Sequence, residues 1–293
     1  FSGDGNVSFN EAQFSGNGDV SFNNVRFNSD GDVSFDSLVF ANENKSFNGG
    51  VSFERTQFTG IVSFANLQET ETIKSFSFKH ASFEKSLTLP NSTFSCVLDL
   101  TDTKLGHSVT LHNLDCKLNR ERQFEKLGFY KAYSATDEDD AARFRRLKEI
   151  AVANKDHDRA LAFHGEELRA KRWHDLTFFQ SMVNAIYSGI SNYGQSLINP
   201  FLGMIFLLIA SIIMHSHFAE CYNFWTAFNY SSSNIVPFLS SAKSAASDNL
   251  KILYPESTGG VPEWLYIVTL ITQLFNYILI FLFGLALRNK FKM

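Results

Sequence analysis

The chain has 293 residues, with 26 Lys and Arg against 30 Asp and Glu, a net charge of −4, and 15% aromatic side chains including 31 Phe. That apolar content excludes an intrinsically disordered chain, and the length accommodates two or three folded units. Cys96, Cys116 and Cys221 lie far apart, without the close pairs of a zinc site or the even count of a disulfide framework, and read as free thiols in a reducing compartment.

Charge is unevenly spread: residues 1–116 carry 7 basic and 14 acidic side chains, residues 117–174 carry 14 and 11, and the rest carry 5 and 5. Residue 1 is not Met and falls inside a repeat, so the expectation is a chain that continues upstream.

The repeat governs residues 1–116. Val7-Ser8-Phe9, Val20-Ser21-Phe22, Val33-Ser34-Phe35, Val51-Ser52-Phe53 and Val62-Ser63-Phe64 recur, and Phe14, Phe27, Phe40 and Phe58 each follow five residues after one of these Phe. Phe78 to Phe83, Leu89 to Phe94 and Leu100 to Leu105 keep the step of five. On a helix, positions five apart diverge by about 140°, whereas a coil with one short strand per five residues turns each of them inward. This pattern resembles the pentapeptide-repeat family, which implies a right-handed quadrilateral β-helix with a column of Phe and Leu inside. Inserts such as Ser15-Gly16-Asn17-Gly18-Asp19 depart from the family pattern and are expected as corner loops. Two readings stand for the block: a rigid spacer or oligomer scaffold, and a binding face whose acidic surface resembles a DNA duplex.

Residues 117–195 read as a basic α-helical linker or regulatory region. Phe144, Leu147, Lys148 and Ala151 share one helical face, and Ala160, Phe163, His164, Glu167 and Leu168 share another. The acidic run 137–140 suits the positive end of a helix dipole. Arg143, Arg145, Arg146 and Lys148 form a cluster that reads either as a solvated face or as a site for an anionic ligand such as an oligonucleotide. Arg169, Lys171 and Arg172 form a second cluster, expected to lie against anionic headgroups.

Residues 196–293 read as a two-helix membrane pore module. Residues 201–218 give about 18 predominantly apolar positions and 264–287 give 24, both long enough to span. Basic residues precede the first and follow the second, at Arg288, Lys290 and Lys292, which predicts both ends in the cytoplasm and residues 219–263 outside. Trp225 and Trp264 are placed at the membrane interface. In the second span Thr269, Thr272, Gln273 and Asn276 recur three to four apart, with Gly284 near the same stripe. Such groups face either a water path, as pore lining, or a neighbouring helix. Two spans per chain enclose no wide pore, so conduction requires an oligomer, taken as a tetramer. His215 and His217 at the outer end of the first span read as a protonation switch or as ordinary interfacial histidines.

Within the loop 220–262, residues 222–238 (Tyr222-Asn223-Phe224-Trp225 through Phe238) resemble the pore-helix segment of two-span ion channels. No Thr-Val-Gly-Tyr-Gly equivalent follows, which implies weakly selective or nonselective conduction. Together with Tyr193-Gly194-Gln195-Ser196 and the ending Gly284-Leu285-Ala286-Leu287-Arg288-Asn289-Lys290-Phe291, the chain is similar to bacterial pentapeptide-repeat membrane proteins. That resemblance implies a channel-like effector of anti-phage defence of the Hailong type, in a bacterial inner membrane, restrained by a nucleic-acid product or a partner protein. No phosphate loop, paired-cysteine site or nucleophile elbow occurs, so no enzyme, metal or cofactor is expected. A membrane-anchored repeat scaffold without conduction is the alternative; a third reading is a nucleic-acid-mimicking inhibitor of a DNA enzyme.

Overall fold

The structure, a computed structural model, describes residues 1–29, 31–42, 45–123, 132–219, 221–236, 238–256 and 260–291. The chain divides into two compact units, Phe1–Asn184 and Ala185–Met293.

The first unit opens as a β-solenoid of short parallel strands, each paired with the strand one coil later. One face stacks Val7–Ser8, Val33–Ser34, Val62–Ser63, Leu87–Thr88 and Val109–Thr110 in register, which is four full turns. A second is held by bridges from Gln13 to Val39 and from Val39 to Gln68, then by Thr93–Phe94 against Asp115–Cys116. Val20–Ser21, Gly50–Ser52 and Ser75–Ser77 form a third. The fourth runs from Ser2–Gly3 through Arg26–Ser29, Gln57–Phe58 and Ser82–Phe83 to Lys104–Leu105. The step of five is therefore the length of one side and its corner.

Each Val-Ser-Phe triad alternates in, out, in, as a strand must. The inward Phe form parallel stacks: Phe35 lies between Phe9 and Phe64 with ring centroids at 4.9 and 4.7 Å, and Phe58 lies between Phe27 and Phe83 at 5.0 and 4.9 Å. Corners follow from the turn each triad enters. Ala12 N–H donates to the Phe9 carbonyl at 3.1 Å across a turn whose third residue, Glu11, has φ 59°. Asn24, Arg55, His80, Asp102 and Asn113 occupy the equivalent left-handed position in later turns. The outward Ser are tied to the coil below. Asn10 Oδ1 accepts from Ser34 Oγ at 2.5 Å and from Asp36 N–H at 3.0 Å; Asp36 Oδ1 accepts from Ser63 Oγ at 2.5 Å and from Ala65 N–H at 2.7 Å. The 15–19 insert is a corner loop, and its Asp19 Oδ1 accepts from Gly50 N–H at 2.7 Å. Inserts also stack: a Cβ on Gly60 would overlap the Gly31 carbonyl.

Beyond an antiparallel ribbon, Arg120–Gln123 with Ala132–Ala135, come α1 (Asp140–Ala153) and α2 (His157–Ala170). Asp156 begins α2 by accepting from Arg159 N–H at 3.1 Å. The two helices pack on each other and close the last coil. Phe144, Leu147, Ile150, Ala151 and Phe163 join Leu98, Leu100, Leu111 and Leu114 in one continuous core. Of the segment expected as a separate linker, 117–195, the part up to Asn184 thus falls in the solenoid's own unit. Its physical cause is the open end of the coil stack, where apolar side chains and unpaired carbonyls both need cover.

Helix α3 (Phe178–Ser191) contains the boundary between the units. The second unit continues with α4 (Ile198–Phe218), α5 (Phe224–Ser233), α6 (Ser240–Leu253) and α7 (Glu263–Phe291). Helices α4 and α7, of 21 and 29 residues, are long and apolar enough to cross a membrane. They approach closely where Gly203 meets Leu279: a Cβ at Gly203 would stand 3.1 Å from Leu279 Cδ2. Much of their remaining surface is exposed Ile, Leu and Phe, as at Phe206, Ile213, Leu270 and Phe281.

Candidate functional site

The candidate site lies among α4, α5, α6 and α7. Asn223 starts α5 with its side-chain oxygen accepting from Trp225 and Thr226 N–H at 2.9 and 3.3 Å. From there α5 runs back alongside the two long helices instead of away from them. Ser231 Oγ donates to Ser211 Oγ at 2.8 Å, about 10 Å along α4 from its Phe218 end. Gln273 Nε2 donates to Asn234 Oδ1 at 2.8 Å and Asn276 Nδ2 to the Asn234 carbonyl at 3.1 Å, about 15 to 20 Å along α7 from Glu263. The C-terminal end of α5 therefore sits at mid-length of both long helices. Helix α6 returns: the Leu253 carbonyl accepts from Cys221 N–H at 3.4 Å, and Tyr254 OH meets His215 Nδ1 at 3.1 Å near the end of α4. Helices α5 and α6 thus form a hairpin packed against the two long helices.

The polar residues of α7 turn toward this hairpin. Thr269 Oγ1 pairs with Tyr230 OH at 2.9 Å, and Gln273 and Asn276 hold Asn234, while Thr272 Oγ1 donates to the Val268 carbonyl of its own helix at 2.8 Å. Gly284 is exposed, with no atom within 4 Å of where a Cβ would stand. His215 is buried against Tyr230, ring centroids at 4.8 Å, whereas His217 is exposed. Phe218 and Trp264 rings meet at 5.0 Å at one end of α7, and Arg288 and Lys290 are exposed at its other end; exposed Trp225 contacts Phe224 and Phe228 of α5. Lys292 and Pro237 lie outside the described residues.

One feature of the hairpin has no counterpart in the reading of the sequence, which took 220–262 as a loop with a single pore helix. Helix α6 packs Ala246, Leu250 and Leu253 inward against Ala227, Tyr230 and Leu265. Its other face exposes Ser241, Lys243, Ser244, Ser247, Asp248 and Lys251. The recurrence of Ser and Ala at positions 240–247 followed by Leu250 and Leu253 is the amphipathic signal that marks it.

In the first unit the Arg143 cluster is engaged within the chain. Arg143 bonds Asp99, Asp137 and Asp140, the last two at 2.6 and 2.7 Å. Arg146 donates to the Leu100 and Thr103 carbonyls at 3.3 and 2.8 Å and so caps the last coil. Arg145 and Lys148 reach Glu167 at 3.2 and 2.6 Å, and Lys171 meets the same carboxylate. Burial works against ionised Glu167, but hydrogen bonds from His164, Lys148, Lys171 and Arg145 outweigh it and hold the carboxyl well below the usual range. Burial pushes Asp140 up to about 6, opposed by Arg143 and assisted by Asp137 and Asp139. Arg169 pairs with Glu166, and Arg172 donates to Asn184 Oδ1 at 3.0 Å. Among the described residues no cluster of three His, Cys, Asp or Glu is placed to hold a metal ion. The three cysteines are free; burial pushes Cys96 and Cys116 up to about 12, and Cys221 is exposed. No protein-family model, curated protein or solved structure matches this chain.

Proposed function

We propose that this protein is an oligomeric, ion-channel-like membrane effector gated by its repeat and helical parts, in which the re-entrant hairpin of each copy contributes to a shared water path. The observation that carries this reading is the exposed polar face of α6 at the depth of two apolar helices. Lipid would not solvate Lys243, Asp248 and three serines there, and water or a neighbouring copy would. The pore lining is assigned to this face together with Thr269, Thr272, Gln273, Asn276 and Gly284, of which Thr269, Gln273 and Asn276 act chiefly by fixing the hairpin. Helices α4 and α7 span a bacterial inner membrane, with the solenoid and the C-terminus on the cytoplasmic side, Arg169, Lys171 and Arg172 flanking the first span and Arg288 and Lys290 the second. The resemblance to pentapeptide-repeat membrane proteins and to Hailong-type effectors supports a role in depolarising the membrane during anti-phage defence, under restraint by a nucleic acid or a partner protein.

The test is flux through liposomes containing the purified full chain with Cys221→Ala and either Ser244→Cys or Ser247→Cys. A membrane-impermeant thiol reagent should block flux in the cysteine variants and leave the Cys221→Ala parent conducting. Flux that stays unblocked in both variants would remove α6 from the pore.

A second reading, an anchored scaffold, draws on the in-chain engagement of Arg143, Arg145, Arg146 and Lys148, which commits that cluster to partners within unit 1. Exchange of α4 to α7 for an unrelated anchor would preserve a scaffold's activity and abolish a channel's.

A further inference from the structure

Between α4, α5 and α7 lies a small cleft lined by Ser211, Tyr230, Ser231, Thr269, Thr272 and Asn276, with no charged side chain among its lining residues. The hydrogen bonds around it fix which atoms remain free. Asn276 is 1% exposed, and its Nδ2 is committed to the Asn234 carbonyl, so the amide cannot be reversed without setting two oxygens face to face. Its Oδ1 is buried and has no partner. The Thr272 hydroxyl proton goes to the Val268 carbonyl and that of Ser231 to Ser211, so both oxygens keep lone pairs to offer. Beside apolar Leu207, Leu208, Met214 and Ile235, the cleft thus presents Asn276 Oδ1, Thr272 Oγ1 and Ser231 Oγ as neutral acceptors with no proton of their own to turn into it. The last carbonyls of α5, the negative end of its dipole, lie beside it.

Acceptors of this kind refuse an anion and match a cation. Hard, neutral oxygens without a carboxylate suit a singly charged alkali ion better than a divalent one, whose dehydration needs anionic ligands. We propose that this cleft is a binding site for a partly dehydrated alkali-metal cation, with Asn276 Oδ1, Thr272 Oγ1 and Ser231 Oγ among its ligands. The proposal deepens the conduction reading and rests on it for the ion's path, while binding itself stands on the cleft.

The experiment is a thermal melt of the purified full chain in detergent as choline chloride is exchanged for NaCl or KCl at constant ionic strength. A saturable rise in Tm with at least one alkali ion, relative to choline, is expected. Thr272→Val, which removes one ligand and keeps the side chain's shape, should weaken the apparent affinity tenfold or more, and Asn276→Leu should abolish the shift. If Asn276→Leu does not fold, Thr272→Val decides. Equal Tm in choline, sodium and potassium would mean that the cleft holds only water and would overturn the proposal, as would a rise untouched by Thr272→Val. Saturable binding without liposome flux sinks the channel reading and leaves the site; flux without saturable binding does the reverse.

Discussion

The side-chain amide of Asn289, near the end of α7, donates to the Gly194 carbonyl at 3.0 Å and so joins two segments 95 residues apart. Gly194 follows two other residues with positive φ, Asn192 and Tyr193, and has φ 74° itself. A Cβ there would meet Leu285 Cδ2 at 3.0 Å. Gly194→Ala is therefore expected to cost about 1–2 kcal/mol from the left-handed backbone, beyond any loss from displacing Leu285. Asn289→Leu should cost about 1 kcal/mol. Melting of each purified variant against the parent checks the order; equal Tm for Gly194→Ala and the parent would mean that the turn relaxes freely.

Glu167 should make the first unit acid-sensitive. Its folded-state pKa is depressed, so its contribution is complete above the ordinary glutamate value of about 4.5 and is lost as pH falls below it. Glu167→Gln should flatten that acid limb and, by leaving Lys148 and Lys171 without their carboxylate, cost about 3 kcal/mol at neutral pH. Denaturant unfolding between pH 3 and 7 reads both effects; a parallel acid limb in the variant would assign the sensitivity to other carboxylates.

Position in the stack should decide the cost of losing a ring. Phe35 is fully buried between two stacked rings, while Phe9 in the first coil is only partly buried. Phe35→Ala should cost about 3–5 kcal/mol and Phe9→Ala distinctly less. The comparison of unfolding midpoints is direct, and equal costs would count against additive burial along the stack.

The hairpin should depend on its first residue and on its tether. Asn223→Ala removes the acceptor for two N–H groups and should destabilise α5 by about 1 kcal/mol. Gln273→Leu cuts the bond to Asn234 Oδ1 and should change unitary current in single-channel recordings, because the inner end of the hairpin loses its hold on α7. An unchanged current would assign Gln273 to packing alone.

The solenoid was legible because its signal is repeated: any one Val-Ser-Phe is weak, while five of them with a second Phe at the fifth residue leave little choice of coil. The spans were legible from length and apolarity. Less visible was what the cations do. Arg143 and Arg146 look like a surface cluster in sequence because, besides the nearby carboxylates Asp137, Asp140 and Glu149, they meet Asp99 and the Leu100 and Thr103 carbonyls, contributed by a coil more than forty residues earlier. The stripe Thr269, Gln273 and Asn276 was visible as a stripe, but its partner Asn234 was not, since periodicity gives a face and never what covers it. Helix α6 carries an amphipathic signal, but its packed apolar side is thin, Ala246, Leu250 and Leu253, and its polar composition hides it.

The side-chain rungs made by Asn10, Asn23 and Asp36 in the solenoid point one way. Asn10, Asn23 and Asp36 each offer a side-chain oxygen, and the Ser hydroxyl and backbone N–H that use it belong to the following coil. A finished coil is consequently a template with its acceptors already in place, and the next twenty-odd residues need only settle onto it. These particular bonds are therefore available to the chain in the order in which a ribosome delivers it.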